Sequence, residues 1–436
     1  MRLSTAVCAV FIGLSIPGMS ASAEAEGCAR LLEYDASGRV IGSKGSACTE
    51  GGAGASRSSA RPDHRRAPLT ETDGTARAAL PRDAVPGELL VLDPPRGFAG
   101  AVRGLGFAVL DSATLANLDM SVARLRVPAR LGLDAAGRRL AARYPGLTVD
   151  ANPVFETAER SISDSFARAA IGWRAVSPTC GRGIRLGMID AAIDLNHPAL
   201  AGQDIVYRSF HGPGRRPAKP DHGTAIAAMM AGRPDDNGWG GLLPGVALRA
   251  ANMFEVDSSG RVIGSAVGLV KAVDWMVSER VHALNLSIAG SDNQVTRKVF
   301  QRARKKGLIM VAAAGNWGRA DRPAFPAAYP HVVAVTAVGE HRNVYRHANR
   351  GGYIDFAAPG VALWTAVPGG GRFQSGTSFA APYVSVLLAA EVARGVPADA
   401  RLLRDRLRSS TVDLGAPGHD DVYGWGLIDR QPDCAG

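Results

Sequence analysis

The sequence lacks any hydrophobic run long enough to span a membrane, which takes about 20 apolar residues. The one apolar run near the start, 6–16, follows Arg2 and precedes the small residues Ala21-Ser22-Ala23. A basic residue, a short apolar run and a small-residue site in that order predict a secretory signal peptide, residues 1–23, removed after Ala23. We therefore expect a secreted or periplasmic protein with no membrane anchor in its mature form.

Cysteine is scarce, with only five in 436 residues. Cys8 leaves with the signal peptide, so four remain, and an even number in an exported chain favours disulfides over free thiols. Three pairings are possible. We favour Cys28 with Cys48, which closes a short local loop, and Cys180 with Cys434, which ties the start of the carboxyl-terminal domain to the last residues of the chain.

The sequence also lacks a concentrated patch of one charge. The net charge is +10 and the pI about 9.7, which could suggest a nucleic-acid partner, but the cations are dispersed. The densest cluster, Arg302 to Lys306, ends a predicted helix, where cations favour the helix dipole and face water. We expect no nucleic-acid partner. With 46% hydrophobic and 21% charged residues, the chain is ordinary globular protein with length for two or three domains.

The segment 24–86 is short and polar apart from one hairpin signal. Residues 34–41 predict a small hairpin with its turn at Ser37-Gly38. From Cys48 to about Ala79 the chain is rich in Gly, Ser, Ala and Arg and has almost no apolar anchor. This composition predicts a flexible linker.

Residues 87–155 predict a small α+β domain. The pattern gives a strand at 88–92, a helix at 97–103, strands at 107–110 and 122–127, a helix at 131–143 and a strand at 147–149. That order, β-α-β-β-α-β, is the ferredoxin-like arrangement.

From about residue 165 to the end, buried-strand runs alternate with helical patterns. Strands are predicted at 184–189, 247–253, 283–288, 308–314 and 332–337, and helices at 225–231, 267–279, 294–305 and 400–407. Alternation at this spacing predicts a parallel sheet with helices on both faces.

Polar residues stand where these strands end or helices begin. Asp190 ends a buried strand, His222 opens a small-residue helix, and Asn316 follows another strand. Ser378 sits after a glycine turn at the start of an apolar helix, with Pro382 placed in its first turn. Because the carboxyl ends of parallel strands line one crevice, we expect these four side chains to meet.

Four blocks, 190–198, 222–224, 313–316 and 376–382, resemble the signature motifs of subtilisin-like serine peptidases. They occur in the order aspartate, histidine, serine that subtilisin shows. The resemblance implies a parallel seven-stranded-type subtilisin-like sheet with helices on both faces, preceded by an α+β ferredoxin-like propeptide domain. It assigns residues 165–436 to the peptidase domain.

The resemblance also implies a role for each polar side chain. Ser378 would be the nucleophile, His222 its general base, and Asp190 the carboxylate that orients the imidazole. Asn316 would donate its amide to the oxyanion, together with the Ser378 N–H. Asp194 and Asp221 compete with Asp190; we prefer Asp190 because it directly ends its strand.

Substrate contacts follow from the same resemblance. Residues Ser287, Ile288, Ala289 and Gly290 fall where the family pairs with an extended substrate backbone, and Gly315 precedes the oxyanion amide. Alanine at 289, where the family has glycine, and the neighbouring Trp317 would narrow the first pocket. We expect small or medium apolar residues before the cut; the alternative is that Trp317 packs on its own loop.

Position and order make residues 87–155 similar to the inhibitory propeptide of this family, with 156–164 as a processing linker. The resemblance implies an intramolecular inhibitor whose tail, from Asn152 to about Ser163, crosses the active cleft until it is cut. A permanent accessory domain is the alternative.

No cofactor is expected, with structural calcium left open. The acidic turn 235–238 resembles the family's calcium loop region, but Ala199 stands where a carboxylate ligand is expected, which weakens such a site.

The predicted function is a secreted, monomeric serine endopeptidase made as a zymogen and acting on polypeptides. A catalytically silent binding or scaffold protein of the same fold, a nucleic-acid-binding protein and an esterase are the alternatives.

Overall fold

The computed structural model describes residues 31–34, 40–44, 84–157, 167–234, 240–257 and 260–434. The chain divides into two compact units, Met1–Asp63 and His64–Gly436. In the first unit, β1 (Leu31–Tyr34) and β2 (Val40–Lys44) pair antiparallel, where the sequence predicts a hairpin. The predicted turn at Ser37-Gly38, the flexible linker and the cysteines Cys28 and Cys48 lie outside the described residues.

The second unit begins with a four-stranded antiparallel sheet and two helices. Its elements are β3 (Ala84–Leu92), α1 (Phe98–Gly104), β4 (Ala108–Leu115), β5 (Met120–Arg126), α2 (Leu133–Arg143) and β6 (Thr148–Pro153). The strand order is β4-β5-β3-β6, as in a ferredoxin-like fold. The apolar faces of α1 and α2 cover one side of this sheet, with Leu89, Val91 and Leu140 fully buried. We call residues 84–153 the N-terminal domain.

The rest of the second unit alternates strands and helices. The strands are β7 (Phe155–Thr157), β8 (Arg185–Asp190), β9 (Ile205–Ser209), β10 (Arg216–Pro217), β11 (Ala247–Asn252), β12 (Phe254–Val256), β13 (Val262–Gly264), β14 (Ala283–Leu286), β15 (Ile288–Gly290), β16 (Ile309–Ala313), β17 (Val332–Val338), β18 (Phe356–Pro359), β19 (Leu363–Val367), β20 (Gly370–Gln374), β21 (Thr411–Val412) and β22 (Leu427–Ile428). The helices are α3 (Ala167–Ala170), α4 (Asp221–Ala231), α5 (Ala266–Ser278), α6 (Gln294–Lys305), α7 (Thr377–Ala393) and α8 (Ala400–Arg408).

The main sheet has the strand order β21-β22-β18-β17-β16-β14-β8-β11-β9. The seven strands from β18 to β9 are parallel, as predicted. The sheet is nevertheless wider than the sequence indicates, because β22 pairs parallel with β18 and β21 pairs antiparallel with β22. These two-residue strands have no hydrophobic run of their own, so periodicity could not reveal them.

Helices cover both faces of the main sheet. Helices α4, α7 and α8 share one apolar core with Leu186 and Met188 of β8. Helices α5 and α6 share the other core with Ile189, because successive side chains of a strand point to opposite faces. Burial on both faces explains why these strands read as continuous apolar runs. No helix in the described ranges is long and apolar enough to cross a membrane.

Helix α7 corrects one detail of the sequence analysis. It begins at Thr377, so Pro382 is its sixth residue and lies inside the helix rather than in its first turn. Proline has no N–H, which leaves the carbonyl of Ser378, four residues earlier, without its usual helical donor. The hydroxyl of Ser287 donates to that carbonyl instead, at 3.0 Å. A tertiary contact therefore makes the internal proline acceptable.

The disulfide between Cys180 and Cys434 is present, with the two Cα atoms 5.1 Å apart. It joins the segment that leads into β8 to the end of the chain, as the sequence analysis proposed. Cys180 is buried within the core that contains α4 and α7.

Candidate active site

The structure brings three of the predicted polar residues together at the carboxyl edge of the main sheet. The Nδ1 atom of His222 lies 2.6 Å from Asp190 Oδ1, and its Nε2 atom lies 3.0 Å from Ser378 Oγ. All three side chains are buried. Carboxylate, imidazole and hydroxyl thus form a continuous hydrogen-bonded series.

Local structure explains how these side chains meet. Asp190 is the last residue of β8, and His222 and Ser378 are each the second residue of a helix, α4 and α7. A Cβ atom at Gly223 would overlap the carbonyl oxygens of Ala191 and Ala192. Only glycine therefore lets α4 approach the turn after β8 closely enough to set His222 beside Asp190.

The two rival aspartates are engaged elsewhere. Asp194 accepts from the backbone N–H of Asn196, and its own N–H donates to the hydroxyl of Thr224. Asp221 pairs with Arg372 at 3.2 Å. Asp190 is the carboxylate that faces the imidazole, and its Oδ1 atom also accepts from the Ala191 N–H.

The amide of Asn316 lies next to the start of α7 with its orientation defined. Its Oδ1 atom accepts from the N–H of Thr377 at 3.0 Å and from the Thr377 hydroxyl at 2.9 Å. Its Nδ2 atom is buried and has no hydrogen-bond partner among the described residues. A buried unpaired donor is costly, so an acceptor that arrives there would be stabilised. Sequence reasoning missed Thr377, although it stands inside the motif that contains Ser378.

The predicted substrate-binding segment pairs with an extended strand of the chain itself. Residues Ile288, Ala289 and Gly290 of β15 pair antiparallel with Thr157, Glu156 and Phe155 of β7. On its other side, β7 pairs with Gly264 of β13. The strand is therefore the fourth of a five-stranded sheet of order β10-β12-β13-β7-β15, between β13 and the edge strand β15. The sequence analysis did not identify β13 as part of this site.

A buried chain of polar side chains connects β15 to the serine. Ser385 donates to Asn285 Oδ1 at 2.9 Å, Asn285 Nδ2 donates to Ser287 Oγ at 2.9 Å, and Ser287 donates to the Ser378 carbonyl. Asn285 and Ser385 were not identified from the sequence, since a buried asparagine in an apolar strand has no motif of its own. Ser385 joins α7 to Asn285 of β14, and Ser287 joins the first turn of the same helix to the residue before β15.

The loop after Asn316 has a compact structure. Gly315 is buried with a φ angle of 96°, and a Cβ atom there would lie 2.7 Å from the Cβ of Ala324. The guanidinium of Arg322 stacks over the ring of Trp317, 4.0 Å from its centroid. Tyr353 donates to the carbonyl of Ala314 at 2.7 Å. Burial raises the pKa of Tyr353 to about 12, so its phenol stays a neutral donor.

The proposed calcium loop cannot be placed, because residues 235–239 lie outside the described part of the chain. Ala199 is buried in the short helical turn Pro198–Leu200. Within the described ranges, no group of three His, Cys, Asp or Glu side chains could hold a metal ion. The expectation of no cofactor, with structural calcium left open, therefore stays a prediction.

This arrangement, on the edge of a parallel α/β sheet, is the one that serine hydrolases use for acyl transfer. Comparison with known proteins narrows the class. A family model described as the subtilase family matches residues 181–426, more than half of the chain. The chain therefore belongs to the subtilase family, the subtilisin-like serine peptidases.

The relatives support this membership. The chain is 30% identical over 259 residues to subtilisin of Bacillus pumilus, covering 58% of this chain and 90% of that protein. It is 30% identical over 256 residues to a minor extracellular protease, Epr, of Bacillus subtilis, covering 57% of this chain but only 38% of that protein.

A solved structure shows the same fold over a larger region. Fervidolysin from Fervidobacterium pennivorans, described as a keratinolytic enzyme related to subtilisin, superposes with a TM-score of 0.66 at 20% identity. The superposition covers 80% of this chain and 61% of that one. At this identity the likeness concerns the fold alone.

Proposed function

We propose that this protein is an exported serine endopeptidase, synthesised as a zymogen, that cleaves polypeptides through an acyl-enzyme. The observation that carries the proposal is the hydrogen-bonded series from Asp190 through His222 to Ser378. Export is supported by the signal-peptide pattern of residues 1–23 and by a relative whose name describes an extracellular protease.

The mechanism follows from the geometry. Ser378 Oγ attacks the scissile carbonyl while His222 Nε2 takes its proton, and Asp190 stabilises the imidazolium that forms. His222 then gives the proton to the leaving amine, and water repeats the sequence to release the acyl group. The developing oxyanion accepts from Asn316 Nδ2 and from the N–H of Ser378, the second residue of α7.

We also propose that the N-terminal domain inhibits the enzyme before maturation. Support comes from β7, which occupies the groove between β13 and β15 as an extended substrate would. The Phe155 side chain is buried there between two glycines: a Cβ atom at Gly290 would lie 2.6 Å from its Cδ1 atom, and one at Gly264 would lie 2.5 Å from its Cβ atom.

Polar contacts hold the N-terminal domain on α5 and α6. Asp150 accepts from the N–H of Gln294, at the start of α6, at 2.7 Å. The Leu118 N–H donates to Asp274 of α5 at 2.9 Å. Lys271 of α5 pairs with Asp111 at 3.3 Å. These contacts hold the N-terminal domain on α5 and α6. Its last strand, β6, leads directly into β7, so the domain is covalently continuous with the strand in the groove.

The register of β7 supports a proposal for the position of the maturation cleavage. Its last residue, Thr157, lies opposite Ile288, one residue away from Ser287, which contacts the Ser378 carbonyl. The bond to be cut therefore follows β7 closely, within the processing linker 156–164. We further propose that the mature enzyme prefers small or medium apolar residues before the cut, because alanine stands at position 289 where the family has glycine. The ring of Trp317 packs against Arg322 of its own loop, so it is not part of this proposal.

One experiment tests the function. Wild type, Ser378→Ala and, as a matched control, Ser410→Ala are secreted, and their intact masses and amino-terminal sequences are determined. We expect wild type and Ser410→Ala to begin within residues 158–166 and to react with a fluorophosphonate probe. Ser378→Ala should retain the N-terminal domain and stay unlabelled. A wild-type protein that neither matures nor reacts would identify a catalytically silent binding protein instead.

A further inference from the structure

Asn349 lies outside every motif of the sequence analysis, yet its side chain organises the loop that follows Asn316. It stands in the connection between β17 and β18 and is completely buried. Its Oδ1 atom accepts from the N–H groups of Trp317 at 3.0 Å and Arg319 at 3.3 Å. Its Nδ2 atom donates to the carbonyl of Arg322 at 3.1 Å. One side-chain amide thus forms hydrogen bonds with backbone groups at both ends of the loop 317–322.

The same residue holds the backbone on both sides of Asn316. The N–H of Asn349 donates to the carbonyl of Gly315 at 2.9 Å, and its side chain accepts from Trp317. A Cβ atom at Gly315 would lie 2.8 Å from Asn349 Nδ2. The backbone at Gly315 therefore lies against the side-chain amide of Asn349. Glycine is required at 315 both by this close approach and by its positive φ.

Two independent sets of contacts consequently define where Asn316 points. Thr377 holds the side-chain oxygen, and Asn349 holds the main chain before and after the residue. With both in place, the remaining donor, Asn316 Nδ2, is buried and has no hydrogen-bond partner among the described residues. Stabilisation of an oxyanion requires such a preorganised donor, because its energy is lost when the donor must reorient during the reaction.

We propose that Asn349 is a positioning residue for the oxyanion donor, acting through Asn316 and not through contact with substrate. The inference rests on the proposed peptidase function. Asn349→Ala removes three hydrogen bonds to the loop and leaves the triad contacts intact. The loss should appear in kcat, about 10- to 100-fold, because the donor acts in the transition state. KM should stay within about twofold of wild type.

The decisive experiment is a double-mutant cycle with a chromogenic peptide substrate and active-site-titrated enzyme. It compares wild type, Asn349→Ala, Asn316→Ala and the double variant, each expressed as the full chain. A residue that acts through Asn316 has no further effect once that amide is gone, so the double variant should match Asn316→Ala in kcat. Asp399→Ala is the matched control: it removes two side-chain to backbone hydrogen bonds at the start of α8 and should leave kcat unchanged.

The outcomes separate this inference from the proposed function. An active wild type with equal losses of kcat from Asn349→Ala in both backgrounds overturns the positioning role alone, as does an unchanged kcat. An inactive wild type overturns both proposals. If Asn349→Ala does not fold, Asn349→Asp decides, because it retains the acceptors for Trp317 and Arg319. A kcat within about tenfold of wild type supports the inference, and a loss as large as that of Asn316→Ala overturns it.

Discussion

At the scale of single residues, the site contains an amide whose oxygen is hydrogen-bonded and whose nitrogen has no partner among the described residues. Thr377 binds the oxygen of Asn316, and the nitrogen is buried without a partner among the described residues. A fixed oxygen and an unpartnered N–H donor suit a side chain that forms its hydrogen bond only when negative charge develops nearby. It distinguishes Asn316 from an ordinary turn asparagine, whose amide would bond to its own backbone.

Asn316→Ala should therefore lower kcat by about 10²- to 10³-fold with little change in KM, because the lost hydrogen bond forms in the transition state. Steady-state kinetics on a peptide substrate measure this. The control is thermal unfolding, which should change little because the Asn316 side chain makes its described contacts only to Thr377. A rise in KM with kcat unchanged would assign Asn316 to substrate binding.

A second residue, Asp150, is expected to make the stability of the full chain depend on pH. Burial raises its pKa, and the N–H groups of Gln294 and Ala151 offset part of that effect. A raised folded-state pKa contributes stability at low pH that is lost as the pH rises through that pKa. The inactive full chain carrying Ser378→Ala should thus gain stability, relative to the same chain with Asp150→Asn, as the pH falls from about 7 towards 4.

Unfolding temperatures of the two chains across that pH range test this prediction. Asn at 150 keeps an acceptor for the Gln294 N–H but does not titrate, so it serves as the reference at each pH. A difference in unfolding temperature that is constant with pH would contradict the prediction. A difference that moves in favour of the Asp150 chain as the pH rises would contradict it as well.

At the scale of elements, β7 connects the two parts of the second unit. It is only three residues long, yet it pairs on both sides and buries the ring of Phe155 in the core of α5 and β15. A short strand with two partners and a buried aromatic anchor can hold a groove closed without a large interface. That property suits the proposed release of β7 after cleavage.

Phe155→Ala in the inactive Ser378→Ala chain should lower the free energy of unfolding by about 3–5 kcal/mol, the usual cost of deleting a buried phenyl ring. Chemical denaturation measures this, and limited proteolysis should show faster cleavage in the linker 156–164. Leu402→Ala, at an exposed position of α8, is the control and should change stability by less than about 0.5 kcal/mol. Equal stability of Phe155→Ala and its parent would show that β7 is not anchored in the groove.

Helix α7 depends on a residue outside the helix for one of its backbone hydrogen bonds. Pro382 breaks the helical hydrogen bond to the Ser378 carbonyl, and Ser287 replaces it. Ser287 directly precedes β15, the strand that pairs with β7. The proposed substrate-binding strand and the proposed nucleophile, Ser378, are thereby linked through one hydroxyl.

At the scale of the whole molecule, the disulfide between Cys180 and Cys434 spans a sequence separation of 254 residues. It ties the end of the chain to the segment before β8. Replacing both cysteines by serine should lower the free energy of unfolding by about 2–4 kcal/mol, mainly because the unfolded chain gains freedom.

Denaturant unfolding of the mature enzyme, with and without a reductant, measures this effect. The reductant should destabilise wild type but not the double serine variant. Two titratable thiols in the unreduced, denatured mature enzyme, which has lost Cys28 and Cys48, would show that the bond does not form. Four such thiols in the secreted Ser378→Ala chain, which keeps Cys28, Cys48, Cys180 and Cys434, would also exclude the proposed pairing of Cys28 with Cys48.

Much of this protein is determined by local sequence. Apolar runs bounded by turn residues place the strands and helices of the main sheet, because burial on both faces demands continuous hydrophobicity. The β-α-β-β-α-β order of the N-terminal domain is equally local. Asp190, His222, Asn316 and Ser378 could be selected because each stands at the end of a strand or the beginning of a helix, where a parallel sheet gathers polar groups.

Tertiary structure alone decided the rest. The engagement of Asn349 with the loop after Asn316, the replacement of a helical hydrogen bond by Ser287, and the insertion of β7 between two strands all join segments far apart in the chain. The added edge strands β21 and β22 belong to the same group. None has a local pattern, because a hydrogen bond between distant segments depends on how the sheet and its helices pack and not on the residues beside it.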